Sequence, residues 1–154
     1  MKSDQILRRE QRLPGTPAEV FEFFADARNL EALTPPLLRF RVITPAPITM
    51  GAGTLIRYEL RIRRVPVRWL TEITAWDPPH RFVDEQIKGP YALWHHTHTF
   101  EPTGDGETLM RDVVRYRSGF GPLGVLANRL VVRRDVEKIF DFRAERIPNL
   151  LAAA

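Results

Sequence analysis

Hydrophobic and polar residues alternate strictly over residues 54–63. Thr54, Ile56, Tyr58, Leu60 and Ile62 fall on one side of an extended chain, and Leu55, Arg57, Glu59, Arg61 and Arg63 on the other. This period of two predicts a half-buried strand. Residues 67–76 repeat it, with Val67, Trp69, Thr71 and Ile73 on one face. A turn at Arg64-Val65 sets Ile62 opposite Val67, Leu60 opposite Trp69 and Tyr58 opposite Thr71. The same register places Arg57 opposite Glu72 on the outer face, a favourable cross-strand pair. Further strands are predicted over residues 5–13, 38–44, 81–87, 91–101 and 107–117. The last two form a hairpin around Thr103-Gly104-Asp105-Gly106.

Elsewhere the period lengthens. Pro14-Gly15 ends the first strand, and Thr16, Pro17 and Glu19 then supply a cap, a first-turn proline and a capping box for a short helix with Val20, Phe21 and Phe24 on its apolar face. A second short helix is predicted near Asp26 or Asn29; it carries Leu30 and Leu33 and stops at Thr34-Pro35-Pro36. From Pro122 to about Pro148 the pattern is helical. Val125, Val132, Val136, Ile139, Phe140, Ile147 and Leu150 form one stripe, with Arg129 and Arg143 inside it. Sequential strands with short turns predict an antiparallel sheet. The expected architecture is α+β: about six to seven strands wrapped around the C-terminal helix, two short helices after the first strand, and an apolar cavity between sheet and helix.

The 154 residues fit one domain spanning 1–154, and a chain of this length can bury about 70% of its unfolded surface without disulfide or metal support. Cysteine is absent, which excludes a disulfide scaffold and a thiolate zinc site. The net charge of +4 comes mostly from arginine, since Lys2, Lys88 and Lys138 are the only lysines among 23 basic residues. Those arginines are scattered among acids and apolar residues, so no nucleic-acid partner is expected. The polar first ten residues contain no apolar h-region, and no stretch is long enough to span a membrane. A cytoplasmic location without stable membrane insertion is therefore expected; oligomeric state is not encoded in these patterns.

Four sequence words carry a resemblance: Leu13-Pro14-Gly15-Thr16-Pro17-Ala18-Glu19-Val20-Phe21, Asn29-Leu30-Glu31-Ala32-Leu33-Thr34-Pro35-Pro36, Gly89-Pro90-Tyr91-Ala92-Leu93-Trp94-His95-His96 and Phe120-Gly121-Pro122-Leu123-Gly124. With the element order, they make the chain similar to the SRPBCC superfamily, the helix-grip fold of START lipid-transfer domains, Bet v 1-like proteins and polyketide cyclases/dehydrases. The resemblance implies a cavity for lipids, polyketides, hormones or quinones. It implies no universal catalytic residue.

Residues 94–100 hold the densest chemistry. On a strand, Trp94, His96, His98 and Phe100 share a face. A hairpin register pairing Phe100 with Thr108 sets His98 opposite Met110, His96 opposite Asp112 and Trp94 opposite Val114. Asp112 would fix the tautomer of His96 or raise its pKa. Three readings stay open: a structural pair lining the cavity, a ligand-binding or acid–base dyad, and a metal site of His96, His98 and Asp112. The site is taken as free of metal and cofactor, since nothing else in the sequence supports a metal. On the helical stripe, Arg143 is the better candidate anchor for a carboxylate, phenolate or phosphate, and Arg129 the weaker. Tyr58, Trp69 and Tyr116 are placed on the inner face.

These residues predict a binding site built from Tyr58, Trp69, Trp94, His96, His98, Asp112, Tyr116, Phe140 and Arg143. The expected function is binding, carriage or sensing of a small hydrophobic molecule with one polar end. One alternative is a cyclase or dehydratase acting on a polyketide-like substrate, with His96 and Asp112 moving protons. Another is a quinone- or lipid-handling protein at a membrane surface. No nucleophile elbow, P-loop, dinucleotide fingerprint or zinc-protease motif is present, and the balance leans away from catalysis.

Overall fold

The computed structural model describes residues 4–62, 64–118 and 125–153, with side chains from 132 onward in the final helix. Seven strands form one antiparallel sheet: β1 (Gln5–Pro14), β2 (Arg41–Val42), β3 (Leu55–Ile62), β4 (Val65–Asp77), β5 (Arg81–Lys88), β6 (Tyr91–Pro102) and β7 (Glu107–Ser118). Their order across the sheet is β1-β7-β6-β5-β4-β3-β2. Helices α1 (Pro17–Ala25) and α2 (Asn29–Ala32) follow β1, and α3 (Val125–Ala153) closes the chain. This is the expected helix-grip α+β fold. No described helix is long and apolar enough to cross a membrane.

Local chemistry explains the helix positions. The Thr16 hydroxyl accepts a hydrogen bond from the Glu19 amide, and Pro17 occupies the first turn of α1. α1 then lays Val20, Phe21, Phe23 and Phe24 onto Leu13, Phe82, Phe100 and Met110, with Ile147 of α3 completing the cluster. Phe21 meets the edge of Phe82 at 5.7 Å and of Phe100 at 5.3 Å between ring centres. Farther along α3, Val136 and Phe140 pack on Val114 and Tyr116. A third cluster, Ala27, Ile56 and Tyr58 with Trp69 and Met50 beside it, lies at the α2 end.

Four expectations are corrected. The strand expected over residues 38–44 contracts to Arg41–Val42, because Pro36–Leu38 winds into a single 3-10 turn and Arg39 adopts a left-handed φ of 47°. The β3–β4 connection is tighter than expected. Ile62 pairs with Val65, Tyr58 with Trp69, and Arg57 with Leu70 instead of Glu72. Arg64 accommodates that short turn at φ 69°, a conformation usually left to glycine or asparagine. The β6–β7 hairpin is displaced likewise: Phe100 faces Met110, His98 faces Asp112, and His96 faces Val114. Both shifts are two residues, so every side chain keeps its face.

The fourth correction concerns the end of α3. The helix runs through Pro148 to Ala153. A proline inside a helix removes the amide that would bond the carbonyl four residues earlier. Here that carbonyl belongs to Ala144, and the side-chain amide of Gln11 on β1 donates to it at 2.6 Å. The missing backbone donor is thus replaced from the sheet, and the turn does not break. The expected helix start at Pro122 lies outside the described residues.

Candidate functional site

Between the sheet and α3 lies a cavity of about 850 Å³. Its wall is mainly apolar, with Ile56, Ile73, Phe82, Ile139 and Phe140 among the lining side chains. Trp69, Tyr91 and Trp94 form an aromatic corner, with ring centres 4.9–5.5 Å apart. Seven of the nine sequence-predicted residues line this space: Tyr58, Trp69, Trp94, His96, His98, Phe140 and Arg143. Asp112 and Tyr116 do not. Asp112 lies behind the two histidines, reached by both. Tyr116 packs into the helix-facing core and donates its hydroxyl to Gln5 at 2.7 Å. The side chain of Arg129 lies outside the described residues.

A cluster of polar groups in mutual contact stands on the cavity wall. β6 projects His96 and His98 to the same side, and their rings stack at 3.6 Å. His96 Nε2 is 2.7 Å from Asp112 Oδ1. His98 Nδ1 lies 3.2 Å from the same oxygen, off the line of a good hydrogen bond. From the opposite side comes Asp84 of β5, directly paired with His96 in the strand register. Its Oδ2 is 2.6 Å from His98 Nε2 and 3.7 Å from His96 Nδ1. The neighbouring strand β4 carries a register shift between Ile73 and Ala75 beside Asp84, and a shift of this kind re-aims side chains locally. His98 also stacks on Phe82 at 4.0 Å, and Phe140 meets His96 edge-on.

Asp84 is the residue that sequence reasoning missed. The predicted strand over residues 81–87 carries it on the inner face. Phe82, Asp84 and Gln86 share one side of β5, so a carboxylate stands two residues from the buried Phe82. That placement was the available signal.

Burial and charge oppose one another here. Burial favours a neutral Asp112, but the hydrogen bonds and charges of His96 and His98 outweigh it, and its pKa falls far below the usual carboxylate range. Asp84 is held low in the same way, against burial, by His96, His98 and the charge of Arg143. Burial and the neighbouring His98 push His96 down, beyond what the two carboxylates restore. Burial pulls His98 down, but the close approach and charge of Asp112 and Asp84 outweigh it, and its pKa moves up. The two stacked imidazoles are thus pushed in opposite directions, His98 up and His96 down. Both effects expected from Asp112 are present: it orients His96 and pulls its pKa up, but burial and His98 outweigh that pull. Burial, with the charge of Asp84 adding to it, also keeps the Tyr58 phenol protonated, and that phenol shares a hydrogen bond with Thr71.

Arg143 stands on the same wall, its guanidinium 5.2 Å from the centre of the Phe140 ring. Its Nη2 is buried without a hydrogen-bond partner, as is the indole nitrogen of Trp69. Buried donors of this kind are costly unless something satisfies them. The arrangement can hold an apolar body against the aromatic and aliphatic wall and meet its polar end with an acid, a base and a cation.

Residues 5–152 match the family model described as polyketide cyclase / dehydrase and lipid transport. Many solved structures share the fold. A protein of Thermus thermophilus is 25% identical with a TM-score of 0.73, covering 97% of this chain and 99% of that one. The Zhui aromatase/cyclase of a Streptomyces species is 13% identical with a TM-score of 0.76, covering 97% and 94%. Norcoclaurine synthase from Thalictrum flavum, solved with dopamine and hydroxybenzaldehyde, is 14% identical with a TM-score of 0.69, covering 99% and 88%. No functionally curated protein matches the sequence.

Proposed function

The chain belongs to the polyketide cyclase / dehydrase and lipid transport family, and from that premise we propose that it binds a small hydrophobic molecule with one polar end, to carry or sense it in the cytoplasm. One observation supports this above the rest: a space of about 850 Å³ with a mainly apolar wall carries Asp84, His96 and His98 in mutual contact on that wall. That volume lies within the usual range for small-molecule sites, roughly 300–1,000 Å³. Burying apolar ligand surface supplies affinity at about 25 cal/mol per Å². The polar groups of Asp84, His96, His98 and Arg143 give the molecule a direction.

A fluorescence titration with N-phenyl-1-naphthylamine, a neutral apolar probe, tests the reading. Saturable binding at one site is expected, and Trp69→Arg should abolish it while the far-ultraviolet circular dichroism spectrum is kept. Absence of saturable binding to the folded wild-type protein would contradict the proposal.

The stacked histidines favour a second reading. Stacked imidazoles whose pKa values are pushed apart, His98 up and His96 down, suit the acid and base roles that a cyclase or dehydratase requires. It predicts turnover of a poly-β-ketone substrate analogue that is lost in His96→Gln with probe affinity intact. The binding reading predicts no turnover to lose.

A further inference from the structure

We infer that Asp84, His96 and His98 form a binding site for one divalent first-row transition-metal ion, open to the cavity. The set differs from the one the sequence suggested: Asp84 takes the place of Asp112. Ligand atoms from the three residues lie within 4.8 Å of one another. An ion bound at about 2.0–2.2 Å by imidazole nitrogen and carboxylate oxygen holds its donors roughly 3–3.4 Å apart. The contacts Asp84 Oδ2 to His98 Nε2, at 2.6 Å, and Asp84 Oδ2 to His96 Nδ1, at 3.7 Å, bracket that separation. Small side-chain shifts bring both into range.

The outer sides of the rings supply a second, independent observation. His96 Nε2 and His98 Nδ1 both face Asp112 Oδ1, at 2.7 and 3.2 Å. A carboxylate that takes the outer N–H of a histidine fixes its tautomer and leaves the inner nitrogen's lone pair for a metal. Asp112 does this for His96, its Oδ1 stands beside His98 Nδ1 as well, and the inner nitrogens are the two that face Asp84. Asp112 does not line the cavity, whereas Asp84, His96 and His98 do. The three ligands therefore lie on the cavity side and their support behind them. Two imidazoles and one carboxylate suit zinc, iron(II), cobalt(II) or manganese(II), and leave coordination positions toward the cavity for the polar end of a bound molecule. The site rests on this cluster alone and stands whether the cavity's occupant is carried or transformed.

Tag-free protein, stripped with chelator, should bind one equivalent of zinc by isothermal titration. Cobalt(II) should give an absorption spectrum of a low-symmetry site and two strongly shifted, solvent-exchangeable proton resonances from the outer N–H groups of His96 and His98. Asp84→Asn and His98→Gln should each weaken zinc binding at least a hundredfold with the fold retained by circular dichroism. Asp112→Asn should weaken it about 10- to 100-fold. His80→Ala, at an exposed position, should change nothing. No stoichiometric binding to the wild-type protein would overturn the proposal, as would binding that survives both Asp84→Asn and His98→Gln. If a variant fails to fold, the cobalt resonances of the wild-type protein decide: two shifted exchangeable protons support the site, and none refutes it.

Discussion

Asp84 Oδ2 reaches from β5 to within 2.6 Å of His98 Nε2 on the neighbouring strand β6. This contact, with Asp112 behind the two histidines, gives a mainly apolar cavity a polar cluster on its wall. Both carboxylates are needed to hold the stacked imidazoles in place, and each prediction below tests part of that arrangement or of the frame that carries it.

Removing Asp112 leaves His96 buried and unpaired. Leaving a buried donor without its acceptor typically costs about 1–3 kcal/mol. Asp112→Ala should destabilise by an amount of this order, and Asp112→Asn, which keeps an acceptor for His96 Nε2, by distinctly less. Urea unfolding curves read the difference. Equal losses would show that the hydrogen bond to His96 contributes little.

Gln11 and Pro148 should be coupled. Gln11→Ala removes the donor that satisfies the Ala144 carbonyl, at a cost of about 0.5–1.5 kcal/mol. Pro148→Ala supplies a backbone N–H for the same carbonyl, so Gln11→Ala should cost less in that background. A double-mutant cycle by thermal or chemical unfolding measures the coupling, and strict additivity would contradict it.

Arg143 should discriminate by charge. Its Nη2 is buried without a partner, and a hydrogen bond to a charged group contributes about 1.5–3 kcal/mol. Arg143→Leu should therefore weaken binding of the anionic probe 8-anilinonaphthalene-1-sulfonate by about tenfold or more and leave N-phenyl-1-naphthylamine nearly unaffected. Parallel loss of both probes would mean that Arg143 only shapes the wall.

The faces of the strands were legible in the sequence, and the registers were not. Alternation in residues 54–63 and 94–100 determines which side chains point inward, and a slip of two residues leaves that assignment unchanged. The register depends on turn length, and nothing in Ile62-Arg63-Arg64-Val65 signals a two-residue turn, because Arg64 takes a positive φ without glycine's freedom. The contact of His96 with Asp112 persists although His98, not His96, is directly opposed, because diagonal neighbours across a strand pair remain within side-chain reach. Pro148 marked the end of α3 by local rules, but Gln11, 133 positions from the Ala144 carbonyl it satisfies, overrides them. The inner placement of Asp84 is legible beside Phe82, but its partnership with the histidines is not, for a related reason. Its partners lie on another strand, and only the β5–β6 register brings it opposite His96.

The central claim is that the cavity between sheet and α3 binds a small apolar molecule, and the protein's three tryptophans allow a direct test. Trp69 and Trp94 line the cavity, whereas Trp76 packs against Phe21 and Phe82 outside it. Nitrogen-15 correlation spectra, with the indole signals assigned from single Trp→Phe variants, should be followed as N-phenyl-1-naphthylamine is added. The account predicts that the Trp69 and Trp94 indole resonances shift together and saturate at one equivalent, with Trp76 nearly still. Saturable binding that moves Trp76, or the amides around Gly15 and Leu151, and leaves Trp69 and Trp94 in place would contradict it.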